Sequence, residues 1–329
     1  MRIKNKLLKL ISQISVINNY YTGIATIFTL HRVFPAEKGK LSVNENMKIS
    51  PEFLEDLIIN FKSNGYKFIS LDRLHEILLN QEKVKKQVLL TFDDGYKDNY
   101  EIAYPILKKH NIPFAVFVTT SFPEKKAVLW WYIIEDLIIK NEAILLSDDT
   151  HYNCKTYKQK IDVFMSIRNK IMSIDPDSFL KDLESLFSNY KIEWIGKCNE
   201  LVMTWSQIQE LSKDRLVTIA GHTKNHYPLN RLTESSIRLE INEANTLIKS
   251  KIGESVNHLA YPFGSRLEIN QRETEIAKSL NLKTAVTTRN GNIHLKHVNF
   301  LESLPRIMLT EKFKINDIGS VKRNKVVTL

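Results

Sequence analysis

Two cysteines in 329 residues leave almost nothing for covalent cross-linking. Cys154 and Cys198 are expected as free thiols and not as metal ligands, which sets aside a disulfide-built scaffold. A membrane-spanning helix needs about 20 consecutive apolar residues. The most apolar stretch near the start is broken by Ser12, Gln13, Asn18 and Asn19, which argues against a spanning helix and against a secretory leader. Repeats and low-complexity segments are also missing, as are an arginine stripe and any nucleic-acid-binding motif, so no nucleic-acid partner is expected.

The charge that is present is positive. A net charge of +10 and a pI near 9.3 imply attraction to something anionic, and a phospholipid surface or a phosphorylated glycan fits better than nucleic acid. Residues 1–23 form a basic segment in which Ile3, Leu7, Leu10, Ile11, Ile14 and Ile17 share one helical face, with Arg2, Lys4, Lys6 and Lys9 near its start. Such a segment lies in a membrane interface or packs on the fold. The expected location is the cytoplasm, with peripheral contact at the anionic inner face of the membrane. Residues 311–329 read as a basic C-terminal tail.

Between these ends the chain is 43% hydrophobic overall and long enough for one large core. Short apolar runs at 24–30, 67–71, 88–92, 114–119, 216–220, 257–261, 283–287 and 303–309 read as strands. They alternate with helical patterns over 51–63, 71–80, 100–110, 234–252 and 270–280. That rhythm predicts an α/β fold with a parallel sheet wound by right-handed crossovers. The stretch 130–204 breaks it, being lysine-rich and mainly helical, with helices expected over 157–172 and 177–188. It is read as an insertion over the mouth of the sheet, within a domain spanning 24–310.

Two segments carry the chemistry. Thr91-Phe-Asp-Asp-Gly-Tyr96 closes the run Val88–Phe92, and Gly221-His-Thr-Lys-Asn-His226 closes Leu216–Ala220. Asp-Asp-Gly after a strand is ordinarily a turn, and a lone His-x-x-x-His pair is weak. Their coincidence at the carboxyl ends of two buried strands is what points to function, because that rim is where α/β folds place chemistry. Adjacent side chains on a strand face opposite ways, so one aspartate can ligate a metal while the other acts on water. Two imidazoles and one carboxylate make a catalytic rather than a structural zinc set. Zinc is favoured, with cobalt, nickel or manganese as alternatives.

These segments resemble the first two motifs of the polysaccharide deacetylases, the family-4 carbohydrate esterases with a NodB-homology domain. Tyr261-Pro-Phe-Gly264 resembles the third, and the likeness runs from about Ile27 to Ile307. The resemblance implies a distorted (β/α) barrel. It also implies that Asp94, His222 and His226 hold the metal, that Asp93 is the general base, and that the backbone N–H of Phe263 helps stabilise the oxyanion. Two departures matter: no arginine precedes Pro262, and a late Leu-x-His is missing. The chain is similar to a rearranged branch in which His31, ending the run Ile27–Leu30, is the acid, and in which Arg306, in Leu-Pro-Arg-Ile, orients the base. His294 and His297 are rival acids in a polar turn, whereas His75, His110, His151 and His258 read as structural or surface residues.

Tyr96, Tyr261, Pro262, Trp130 and Trp131 are expected to meet the sugar, since aromatic faces suit its C–H surface. Trp194 and Trp205 flank the same region but read as core. The expected reaction is removal of N-acetyl groups from amino sugars of a bacterial surface glycan or its precursor: lipopolysaccharide, capsule, exopolysaccharide or a lipid-linked sugar. An O-deacetylase or deformylase would use the same site, and a silent glycan-binding protein would have no use for the base.

Overall fold

The computed structural model describes residues 22–318. The N-terminal amphipathic segment and most of the C-terminal tail therefore lie outside the described residues. Within them, no helix is long and apolar enough to cross a membrane.

Seven parallel strands curl into one sheet. In spatial order they are Thr284–Val286, His258–Ala260, Val217–Gly221, Phe114–Val118, Gln87–Phe92, Ala25–Leu30 and Ile307–Met308, with Lys67–Phe68 added beside the start of Gln87–Phe92. A parallel bridge from Val286 to Leu304 carries the first of these toward the last, so the sheet turns back on itself as a distorted barrel. All six residues of Ala25–Leu30 and of Gln87–Phe92 are buried, which is why both read as continuous apolar runs rather than alternating ones.

The outer helices begin where their caps dictate. Ser50 accepts from Phe53 N–H and Pro51 opens helix 51–63, while Thr233 accepts from Ser236 N–H at the head of Glu234–Ile252. Gly253, at φ +82°, ends that helix in the left-handed conformation. The expected helix at 100–110 is a π-helical turn over Asn99–Ala103 followed by Tyr104–Lys109.

The insertion is helical, as expected, with helices Trp130–Lys140, Tyr157–Met172, Phe179–Leu186 and Gly196–Leu201. It also holds an antiparallel hairpin, Ala143–Leu145 with His151–Asn153, that the sequence reading did not anticipate. Its own core includes Trp130, Ile134, Phe164, Ile167, Leu183 and Trp194, and Leu41 of the loop after the first strand enters it. Cys154 and Cys198 are both free and buried. The barrel core extends past the expected boundary at 310, since Phe313 and Ile318 pack into it, Phe313 edge-on to Phe28 at 5.1 Å.

Candidate active site

In-register parallel strands bring their carboxyl ends to one rim, and the motif residues sit there together. Asp93 N–H still donates to Leu30 O (2.9 Å), and His222 N–H donates to Val118 O (2.9 Å), so each is the residue just beyond its strand's ladder. The chain then turns sharply: Asp94 and Gly95 have φ +72° and +78°, and Gly95 N–H donates to Asp93 O (2.9 Å). This turn sends the two carboxylates in different directions, Asp93 to Arg306 and Asp94 to His222 and His226, and a non-glycine residue in the left-handed region is held there only by its surroundings. Thr223, His226 and Phe263 share that strained conformation, at φ +62°, +60° and +60°.

Asp93 is buried and tied to an equally buried Arg306. Nη1 of Arg306 donates to Oδ1 and Nη2 to Oδ2, both at 2.7 Å, the paired fork that fixes a carboxylate in orientation as well as charge. Arg306 is itself held by donating to Thr91 Oγ1 (3.0 Å) and Thr287 O (3.0 Å), and it lies over the Phe117 ring. Burial alone would raise the pKa of Asp93, but the guanidinium beside it outweighs that and holds the carboxyl below its ordinary range.

Asp94, His222 and His226 converge, with candidate ligand atoms all within 4.8 Å of one another. Nε2 of His222 and of His226 lie 3.4 and 3.3 Å from Asp94 Oδ1, which is buried and has no hydrogen-bond partner. His222 Nδ1 is 2.7 Å from Ala260 O, a contact that favours a proton on Nδ1 and leaves Nε2 unprotonated for a ligand. An orphaned buried carboxylate oxygen facing two imidazole nitrogens fits a divalent cation held between them. The backbone of 222–226 is braced by buried Glu240, whose Oε2 accepts from Lys224 N–H (3.0 Å) and Asn225 N–H (2.8 Å). A Cβ at Gly221 would come within 2.5 Å of Asn245 Oδ1, so that a larger residue before this loop would turn the Asn245 amide aside.

These groups open into a cleft of about 490 Å³. His31 lines it; burial lowers its imidazole pKa against the opposing pull of Asp94 and Asp93, and its Nδ1 is buried with no hydrogen-bond partner. Phe263 lines it too, its ring centroid 4.9 Å from that of His226. Trp131 lies over the site, 5.7 Å from the His226 ring, with Nε1 donating to Tyr96 Oη (3.1 Å). Tyr96 in turn stacks against the guanidinium of Arg32, which is anchored on Asp98.

A profile for polysaccharide deacetylase matches residues 80–285. The chain belongs to the polysaccharide deacetylase family. A poly-beta-1,6-N-acetyl-D-glucosamine N-deacetylase of Staphylococcus aureus is 26% identical over 152 residues, 45% of this chain and 51% of that protein. The chain thus spans about half the length, or less, of the curated relatives it matches. Among solved structures, the Streptococcus pyogenes deacetylase PplD superposes with TM-score 0.59 at 21% identity, covering 91% of this chain and 97% of that one. IcaB from Ammonifex degensii gives 0.56 at 19%, covering 88% and 92%. At these identities the two structures speak for the fold.

In this deacetylase-family chain not every residue expected at the sugar is there. Tyr261 is buried and donates its hydroxyl to Glu302 O (2.7 Å), and Pro262 is buried outside the cleft lining. Both are corrected from substrate contact to core, because the strand His258–Ala260 sends Tyr261 into the packing beside Leu259 and Ile269. Trp130 borders the cleft but is chiefly insertion core, stacked on Phe164. Trp194 and Trp205 do not line the cleft.

His294 and His297 sit at the other end of the barrel, next to Ile293, which pairs with Ala25 at the start of its strand; geometry removes them as rival acids. His110 contacts Glu55 and His258 contacts Thr284, away from the cleft. Sequence reasoning missed Glu240, Thr287 and the insertion residue Arg168. Only Thr91, inside the first motif, carried a local signal.

Proposed function

We propose that this chain hydrolyses the N-acetyl amide of an amino sugar in a surface glycan or its lipid-linked precursor. The observation that carries the reading is Asp93, clamped in two-pronged fashion by Arg306, beside the converging Asp94, His222 and His226 at the floor of an aromatic-walled cleft. The S. aureus relative is named for N-deacetylation of poly-N-acetylglucosamine, which supports the same bond as target here.

Asp94, His222 and His226 would hold the divalent cation, zinc by preference for this donor set, which when bound polarises a carbonyl and makes water acidic enough to react near neutral pH. Asp93, kept ionised by Arg306, accepts the proton of the attacking water. The backbone N–H of Phe263 donates to the oxygen that gains charge as the acetyl carbon becomes tetrahedral. His31 delivers a proton to the departing amine, without which the C–N bond cannot break to give a neutral leaving group. Trp131 presents flat apolar surface to the sugar ring, while Tyr96, expected at the sugar too, is buried beneath it and holds its indole N–H. A cytoplasmic protein of net charge +10 would meet its glycan at the inner membrane face.

The test is turnover of N-acetylated glucosamine oligomers by purified zinc-loaded protein. Equal release of acetate and free amine, lost in Asp93→Asn, is the expected result. Acetate without new amine would mean ester cleavage and overturn the assignment, as would amine release that survives Asp93→Asn.

A further inference from the structure

One cation in the cleft has no counter-charge. Arg168, on the insertion helix Tyr157–Met172, is half-buried in the cleft wall. Among the described residues it makes no ion pair or hydrogen bond, and its contact is with the ring of Phe263, 5.9 Å from the guanidinium carbon to the ring centroid. The other charged groups of the lining are already engaged. Asp93 has Arg306, Asp94 faces two imidazoles, and Glu268 accepts from the N–H (3.2 Å) and hydroxyl of Ser265.

A partly desolvated guanidinium gives up hydration that only an anion fully replaces, and its planar fork matches the oxygens of a phosphate or a carboxylate. Phe263 supplies the flat surface that holds the fork in place. The same ring lies 4.9 Å, centroid to centroid, from that of His226, so one side chain links Arg168 to the candidate metal ligands. An anion bound there would sit on the sugar being processed or on its immediate neighbour.

We infer that Arg168 receives an anionic substituent, phosphate or carboxylate, of the glycan, so that the cleft selects charged amino sugars over neutral ones. This rests on the deacetylase reading for its meaning, but the binding site itself does not require turnover. The competing account is that Arg168 merely packs on Phe263.

The experiment is calorimetric titration of zinc-loaded, full-length Asp93→Asn protein with N-acetylglucosamine 1-phosphate, N-acetylglucosamine 6-phosphate, N-acetylmuramic acid and the neutral methyl glycoside of N-acetylglucosamine. At least one anionic sugar should bind about tenfold or more tightly than the neutral one, as charge-assisted hydrogen bonds imply. Which anion wins separates phosphate from carboxylate. Adding Arg168→Ala should erase the preference while leaving the neutral glycoside within about twofold, and Arg168→Lys should keep part of it. Equal binding of neutral and anionic sugars, no binding of any, or an equal loss for all in Arg168→Ala would overturn the inference. Acetate release from the same sugars by the Asp93-containing protein is measured in parallel. An intact, Arg168-dependent preference without any turnover would refute the deacetylase reading and leave the anion site standing.

Discussion

Asp93 and Arg306 are far apart in the chain, yet the chemistry depends on their contact. Replacing Arg306 by Gln leaves a buried carboxylate without its partner, which for such pairs costs about 3–5 kcal/mol. With the guanidinium gone, burial dominates and the pKa of Asp93 rises, so the acid-side limb of kcat/KM should move to higher pH in the variant. A limb that stays put would show that Arg306 does not tune the base. The same shift bears on stability. The folded-state pKa lies below the unfolded one, so the pair stabilises the fold above about pH 4, and this is lost as pH falls through the folded value. His31→Gln should lower kcat by about 10²–10⁴ and abolish the decline in rate as pH rises through the imidazole's pKa, with metal content unchanged by elemental analysis. Unaltered kcat would remove His31 from the reaction. Asp93, Asp94 and His222 were legible because they follow directly on buried apolar runs, and His226 through its i, i+4 spacing from His222. Tyr261 and Pro262 were misjudged because a strand buried on both faces offers no alternation to say which side chain meets the cleft.

Among the elements, the long helix Glu234–Ile252 does more than cover the sheet. Its Glu240 gathers the amides of Lys224 and Asn225, and so holds the two imidazoles at their spacing while His226 is kept at φ +60°. Glu240→Ala should weaken metal retention by about 10-fold or more, measured by competition with a chelator, with the helix still formed by circular dichroism. Unchanged affinity would mean that the loop holds its shape unaided. Helix limits such as 51–63, 157–172 and 234–252 were legible from apolar spacing, and the caps at Ser50, Thr156 and Thr233 hold them there. The hairpin 143–153 was not, because three-residue strands carry too few positions for a period to show, and only Ile144 of the first one is buried. Arg168 gave no signal either, being one basic residue on a lysine-rich helix until folding places Phe263 beside it.

For the whole molecule, the barrel supplies rigid positions and the insertion supplies the roof, with Trp131 and Arg168 reaching down to the rim. A cation joining strand ends from two parts of the barrel binds the folded form alone, so chelation should lower Tm and abolish activity together, and zinc should restore both. Activity that persists after chelation would contradict the cation's place in the account. The parallel sheet followed from the alternation of strands and helices, while the roof's shape depended on contacts that no local pattern records. The central claim is that the Asp93 centre removes acetyl groups from a cellular glycan. The direct measurement is mass spectrometry of surface glycans and lipid-linked precursors from cells carrying the native chain or Asp93→Asn. One extra acetyl group on one hexosamine, with the loss of one free amine, is the predicted result. Identical glycans in the two strains would contradict it.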